Sequence, residues 1–248
     1  MKFLFCDFDG TLYRNSRISK EDIQAIIQWQ QAGNQFVFAT GRDIRSLEEK
    51  LSNYPQIKPN YVIGNNGATI GMTSYNKLNK ENITNLLKAM NDQKPVIEHI
   101  KLSMAIGRQG LELIKIFSVA EALTVLNMND AELYQMAIQF PTSEAAQVFV
   151  SSYAVKYPQC AFLQNIQTVD IVSQHTNKAT AIAYLSDELA IASEHVYTIG
   201  DGLNDQNMLQ QYTSATFPWV AESLKQSATY QVHSVAEWIN HIQSATSL

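Results

Sequence analysis

Apolar and polar positions fall along this chain in blocks that change period at recognisable stops. Lys2 to Cys6 is a short, almost wholly apolar run that ends in Asp7-Phe8-Asp9-Gly10-Thr11, which predicts a buried strand with acids at its carboxyl end. Ser19 with Asp22 has the form of a helix N-cap followed by an acidic third position. Ile23, Ile26, Ile27 and Gln30 then continue at helical spacing up to Gly33. Gln35 to Ala39 predicts the next strand, ending in Thr40-Gly41-Arg42. Ile44, Leu47 and Leu51 mark a second helix, and Tyr61 to Ile63 a third strand before Asn65-Asn66-Gly67. This β-α-β-α-β series implies a parallel sheet with helices on both faces and a ligand crevice at the carboxyl ends of its strands.

From about Leu78 the rhythm changes. Glu81 to Met90 reads as a helix, Leu111 to Leu126 contains a second and Glu144 to Val155 a third, with strand-like runs at Tyr134 to Phe140, Cys160 to Leu163 and Thr168 to Val172. After Asn177 the earlier pattern resumes with a helix to Leu185. A strand follows at Val196 to Ile199, ending in Gly200-Asp201-Gly202-Leu203-Asn204-Asp205. Ser214 to Phe217, Tyr230 to Val232 and a helix from Val235 to Ile242 complete the sheet. The expected architecture is an α/β, Rossmann-like parallel-sheet core formed by residues 1–77 and 173–248, interrupted by an inserted α+β domain at 78–172. There is no internal repeat or low-complexity segment.

Composition narrows the function classes. Of 248 residues, 46% are hydrophobic and 17% charged, the make-up of a chain that buries a core. A formal charge of -5 disfavours nucleic acid and anionic membranes as partners, since both want an excess of Lys and Arg. The opening apolar run is too short for a signal peptide, and no stretch is long enough to span a bilayer. Cys6 and Cys160 stand far apart without a CxxC or Cys/His cluster, so neither a disulfide framework nor a zinc site is expected and the cytoplasm is the economical location.

The chemistry concentrates at the strand ends. Gly10 permits a turn that lets Asp7 and Asp9 diverge while both face the crevice. Close carboxylates repel, and a hard cation among them relieves the repulsion. Mg²⁺, which takes oxygen ligands and retains waters, suits a site with few protein carboxylates and a substrate phosphate, and Asp201 and Asp205 supply further oxygens. One such acid alone reads as readily as a helix N-cap. Three strands ending in Asp-x-Asp-Gly-Thr, Thr-Gly-Arg and Gly-Asp-x-x-Asn-Asp would converge on one crevice, which separate capping roles do not explain.

With these motifs the sequence resembles the haloacid dehalogenase superfamily of phosphatases, specifically its Cof-type group with a type IIB cap. Asp7-Phe8-Asp9-Gly10-Thr11-Leu12 matches the first motif and Ala39-Thr40-Gly41-Arg42 the second. Lys178 in Thr176-Asn177-Lys178-Ala179 matches the third, and Gly200 to Met208 the fourth. The resemblance implies Asp7 as nucleophile forming an aspartyl-phosphate, and Asp9 as the acid for the leaving alcohol and then the base for water. It implies Mg²⁺ held by Asp7, the Asp9 backbone carbonyl and Asp201, with Asp205 in support. Thr40 and Gly41 would hold phosphate, Lys178 would stabilise Asp7 and the transferring group, and Asn204 would join the substrate contacts. Arg42 either pairs with a nearby acid or, as in the family, reaches substrate or cap.

The pattern departs from the family in two places. Asn65 stands where Glu is usual, and Phe217-Pro218-Trp219 replaces a Met-Gly-Asn turn, with Trp219 either lining the entrance or packing. His99, Lys101, Arg108, Lys115 and His175 are polar candidates in the cap without a motif. The expected activity is a Mg²⁺-dependent hydrolase of small phosphorylated metabolites, such as sugar phosphates or a phosphorylated cofactor. The alternatives are a sugar-phosphate phosphomutase and a weakly catalytic sugar-phosphate sensor.

Overall fold

A computed structural model of the chain describes residues 1–71, 73–106, 111–127 and 131–245. The elements run β1 (Phe3–Cys6), α1 (Lys20–Gln31), β2 (Gln35–Ala39), α2 (Ile44–Leu51), β3 (Tyr61–Gly64), β4 (Thr69–Ile70) and β5 (Thr73–Ser74). Then follow α3 (Lys80–Gln93), β6 (His99–Ile106), β7 (Leu111–Ile116), α4 (Val119–Leu126), β8 (Ala131–Gln139), α5 (Ser143–Tyr153), β9 (Cys160–Asn165) and β10 (Thr168–Ser173). The chain closes with α6 (Lys178–Glu188), β11 (Val196–Ile199), α7 (Gln206–Gln211), β12 (Thr213–Thr216), α8 (Glu222–Lys225), β13 (Tyr230–Gln231) and α9 (Val235–Ser244).

The first sheet has the order β13-β12-β11-β1-β2-β3-β4-β5, parallel from β13 to β3 and antiparallel beyond. β1 is apolar at every position and β2 at every position after Gln35, because both faces of these central strands are covered. Leu4 and Cys6 of β1 point into a cluster with Trp29 of α1 and Trp238 of α9. Phe3 and Phe5, on the opposite face, meet Ile182 and Leu185 of α6 and Met208 of α7. The helix ends follow from their sequences: Ser19 Oγ accepts from Asp22 N, and Asn177 with Thr180 forms a reciprocal capping box that starts α6 at Lys178.

The second sheet is antiparallel, ordered β7-β6-β8-β10-β9. One face carries Ile100, Leu102, Met136, Ile138, Val169 and Ile171 into a cluster with Ile83 and Leu87 of α3 and Phe149 of α5. The alternate residues face the carboxyl ends of β1 and β2 across a cavity. This arrangement is the expected parallel-sheet core interrupted by a smaller α+β unit, with the chain from α6 to α9 returning to the first sheet. Two strands of that unit were absent from the sequence reading. His99–Ile106 is a strand, and the segment read as containing a helix over Leu111 to Leu126 begins with a strand, with the helix confined to Val119–Leu126. Among the described residues no helix is long and apolar enough to cross a membrane.

Candidate active site

The sheet order places β11, β1 and β2 side by side, so the three motif-bearing strand ends are neighbours. Asp7 follows β1 and donates its N–H to Ile199 O of β11 at 3.0 Å. Gly10 then turns the chain at φ 86°. A Cβ there would stand 2.1 Å from Asp201 Oδ2, so glycine is required both by backbone conformation and by the approach of Asp201.

Lys178 is the centre of the buried charge. Its Nζ donates to Asp7 Oδ1 at 2.6 Å and to Asp205 Oδ1 at 2.5 Å, and the residue is 1% exposed. A solvated lysine at a helix start, the simplest reading of the local sequence, is therefore excluded. Burial alone would lower the Lys178 pKa, but Asp205 and Asp7 outweigh it and raise it, keeping the ammonium charged. Asp205 is fully engaged, because its other oxygen accepts from Asp201 N at 3.0 Å and Gly202 N at 2.9 Å. Asp201 Oδ1 accepts from Thr11 Oγ1 at 2.6 Å.

This donor set fits a hard divalent cation. One carboxylate oxygen from each of Asp7, Asp201 and Asp205 lies within 4.8 Å of the others. Burial pushes the Asp7 carboxyl above its ordinary value against the pull of Lys178, and Asp205 and Asp201 add to the push. Burial likewise moves Asp201 up to about 6, against the bond from Thr11. A single ammonium thus leaves the acids under-compensated, which a cation among them would relieve. Asp205, with both oxygens bonded, fits a supporting place.

The remaining expected residues surround this cluster. Asp9 is exposed at the rim, and Arg42 grips it with Nε to Oδ2 at 2.6 Å and Nη2 to Oδ1 at 2.8 Å. Arg42 Nη1 donates to Ser46 Oγ, so its fork serves Asp9 and α2. Of the two readings of Arg42, the pairing with a nearby acid is the one present. Thr40 Oγ1 accepts from Arg42 N at 3.1 Å, leaving the hydroxyl proton to be donated elsewhere. Asn204 Nδ2 donates to Asn66 Oδ1 at 2.9 Å. Asp7, Asp9, Thr40, Gly41, Arg42, Asp201 and Asn204 line one cavity of about 410 Å³, with Lys178 and Asp205 behind it.

Residues of the second sheet close this cavity, and the sequence reading missed the pair that joins it to the core. Asn66 Nδ2 donates to Asp170 Oδ2 at 2.8 Å and to Gln135 Oε1 at 3.1 Å, while Gln135 Nε2 donates to Gly41 O at 3.1 Å. The available signal was an acid inside the apolar run Thr168–Ser173, which calls for a partner. His99 and Lys101 line the cavity, whereas Lys115 and His175 do not, and Arg108 lies outside the described residues. Asn65 is buried in a left-handed turn, and its Oδ1 has no partner among the described residues. Trp219 is 56% exposed and stacks on Phe217 at 4.8 Å; it borders a neighbouring hollow that also touches Asp201, not the main cavity.

Comparison with known proteins agrees with the geometry. A protein of Mycoplasma capricolum subsp. capricolum described as uncharacterized is 26% identical over 263 residues, covering 95% of this chain and 98% of its own length. The structure of the HAD subclass IIB sugar phosphatase BT4131 superposes with a TM-score of 0.75 at 20% identity, covering 100% of both chains. That of a haloacid dehalogenase-like hydrolase from B. subtilis gives 0.79 at 18%, covering 98% of this chain and 100% of its own. The family profile of haloacid dehalogenase-like hydrolases matches residues 4–237, from β1 into α9 and through all four motifs, and this chain is a member of that family.

Proposed function

We propose that the chain is a Mg²⁺-dependent phosphomonoesterase that acts on small phosphorylated metabolites, sugar phosphates among them, through an aspartyl-phosphate on Asp7. The observation that carries this reading is the buried Lys178 bridging Asp7 and Asp205 at the base of a cavity floored by Asp201, Thr40 and Gly41. Mg²⁺ held by Asp7 and Asp201 would supply the positive charge that lets a carboxylate approach a phosphate dianion.

In the first step an Asp7 carboxylate oxygen forms a bond to phosphorus as the bond to the leaving oxygen breaks, and Asp9 gives its proton to that oxygen. In the second, Asp9 takes a proton from water, the water oxygen bonds to phosphorus, and the Asp7–phosphorus bond breaks to release phosphate. Lys178 keeps Asp7 aligned and adds charge near the transferring group, and Thr40 Oγ1–H and the Gly41 N–H donate to phosphate oxygens. Arg42 holds Asp9 at the rim, so the acid step exchanges part of that fork for the leaving group.

Residues 78–172 act in this reading as the cap and residues 1–77 and 173–248 as the core. A cytoplasmic location fits two cysteines that are free and buried.

The test is to trap the intermediate. With an activated aryl phosphate, Asp9→Asn protein should form the phosphoenzyme and accumulate it, since such a leaving group needs little protonation whereas hydrolysis of the intermediate needs the base. The added phosphate mass should vanish in the Asp7→Asn, Asp9→Asn double variant. Phosphate mapping to Ser, Thr or His would refute the assignment.

A further inference from the structure

The cavity has two walls, and the wall contributed by the second sheet is patterned. In register across β6, β8 and β10, Lys101 pairs with Ala137 and Ala137 with Asp170, so an acid and a base flank the smallest side chain of the row. Two strand spacings place their backbones about 10 Å apart, and no ion pair joins them. Asp170 is engaged by Asn66, but Lys101 has neither an ion pair nor a hydrogen bond among the described residues.

Two residues further along β6, on the same face, Ser103 is 2% exposed and its Oγ has no partner among the described residues. A buried hydroxyl without a partner on a cavity wall is costly unless something in the cavity meets it. His99 completes the strand's inward face, and Lys115 stands opposite Lys101 on β7. Burial lowers the His99 pKa, and Lys115 and Lys101 add to that lowering while Glu98 opposes it. The core wall already provides for one phosphate without Lys101.

We propose that Lys101, with Ser103 beside it, forms a second anion subsite, so that the preferred substrates are phosphomonoesters whose leaving group carries a carboxylate or a second phosphate. The hollow over Ala137 gives the carbon skeleton room between the two sites. This rests on the phosphoryl-transfer reading for the place of the first phosphate alone.

The experiment compares matched esters on the full chain with Mg²⁺: 3-phosphoglycerate against glycerol 3-phosphate, and fructose 1,6-bisphosphate against fructose 6-phosphate. Wild type should favour the anion-bearing member of at least one pair by about tenfold or more in kcat/KM, the size of a charge-assisted bond. Preference in the first pair assigns a carboxylate, and preference in the second assigns a phosphate. Lys101→Gln should bring the ratio to within about twofold of unity, and Lys101→Arg should retain it, which loss of fold alone would not produce. Calorimetric titration of Asp7→Asn protein with 3-phosphoglycerate and glycerol 3-phosphate reads the same ratio without turnover. If no ester is hydrolysed but this binding ratio holds, the subsite stands and the hydrolase reading falls. A wild-type ratio near unity in both pairs, or a ratio that survives Lys101→Gln, overturns the subsite.

Discussion

The two walls of the cavity are built on opposite plans. On the core wall the charged groups answer one another: Lys178 joins Asp7 to Asp205, Asp205 caps the turn at Asp201, Thr11 holds Asp201, and Arg42 forks Asp9. On that wall Asn65 Oδ1 is a buried atom without a partner among the described residues. On the wall of the second sheet, Gln135 and Asp170 turn toward the core while Lys101 and Ser103 Oγ have no partner among the described residues. A closed network fixes geometry for one reaction, whereas unengaged groups on a cavity wall leave the contact to be made by whatever enters. In the proposed reading the chemistry belongs to one sheet and the choice of substrate to the other.

The largest effect that tests this division is loss of the nucleophile. Asp7→Asn should lower turnover of every phosphomonoester by at least about a thousandfold, irrespective of leaving group, because an amide does not attack phosphorus and the cation loses a ligand. A panel of esters assayed with wild type and variant checks it. Loss confined to a few substrates would place Asp7 in recognition instead.

Next in size is the buried ammonium. Lys178→Met leaves Asp7 and Asp205 buried without their counter-charge, a change that costs about 3–5 kcal/mol when one partner of a buried pair is removed. Urea unfolding in chelator should show that loss, and saturating Mg²⁺ should recover part of it through Asp7 and Asp201. Equal stability of wild type and variant in chelator would mean that the network does not hold the core wall together.

How much of this was legible in the sequence follows the same division. Phe3–Cys6 and Gln35–Ala39 are buried on both faces, so their apolar runs announce strands, and the motifs stand where those runs stop. Leu111–Ile116 is covered on one face only. Its alternation of Leu, Glu, Leu, Ile, Lys and Ile is weaker evidence than the helix that follows, and the strand was absorbed into that helix. The local sequence around Lys178 gives no hint that the residue is buried, because its burial depends on acids 171 and 27 residues away. Asp170 and Gln135 were missed for a related reason, since their partners Asn66 and Gly41 lie far away in sequence, in the loops that follow β3 and β2 of the other sheet.

The smallest effect concerns Asp170, a carboxylate by which the second sheet grips the core. Burial moves Asp170 up to about 6 from an ordinary 3.8, against the bond from Asn66 and the pull of Lys178 and Lys101. A carboxyl whose folded pKa is raised binds its proton more tightly when folded, so ionisation opposes folding. Its contribution is favourable below about 4, is lost as pH rises toward 6, and leaves a constant penalty above. Asn at this position stays neutral at every pH and presents a carbonyl to Asn66 Nδ2. Asp170→Asn should therefore match wild type near pH 4 and exceed it at pH 7.5 by on the order of 1–3 kcal/mol, the free energy of a shift of this size. Taking the difference between the two proteins across pH cancels the titration of Asp7 and Asp201, which both share. If the difference is flat, or if the variant becomes the less stable protein as pH rises, Asp170 gains more from Asn66 and Lys101 as an anion than burial costs it, and the join between the sheets is an ionic one.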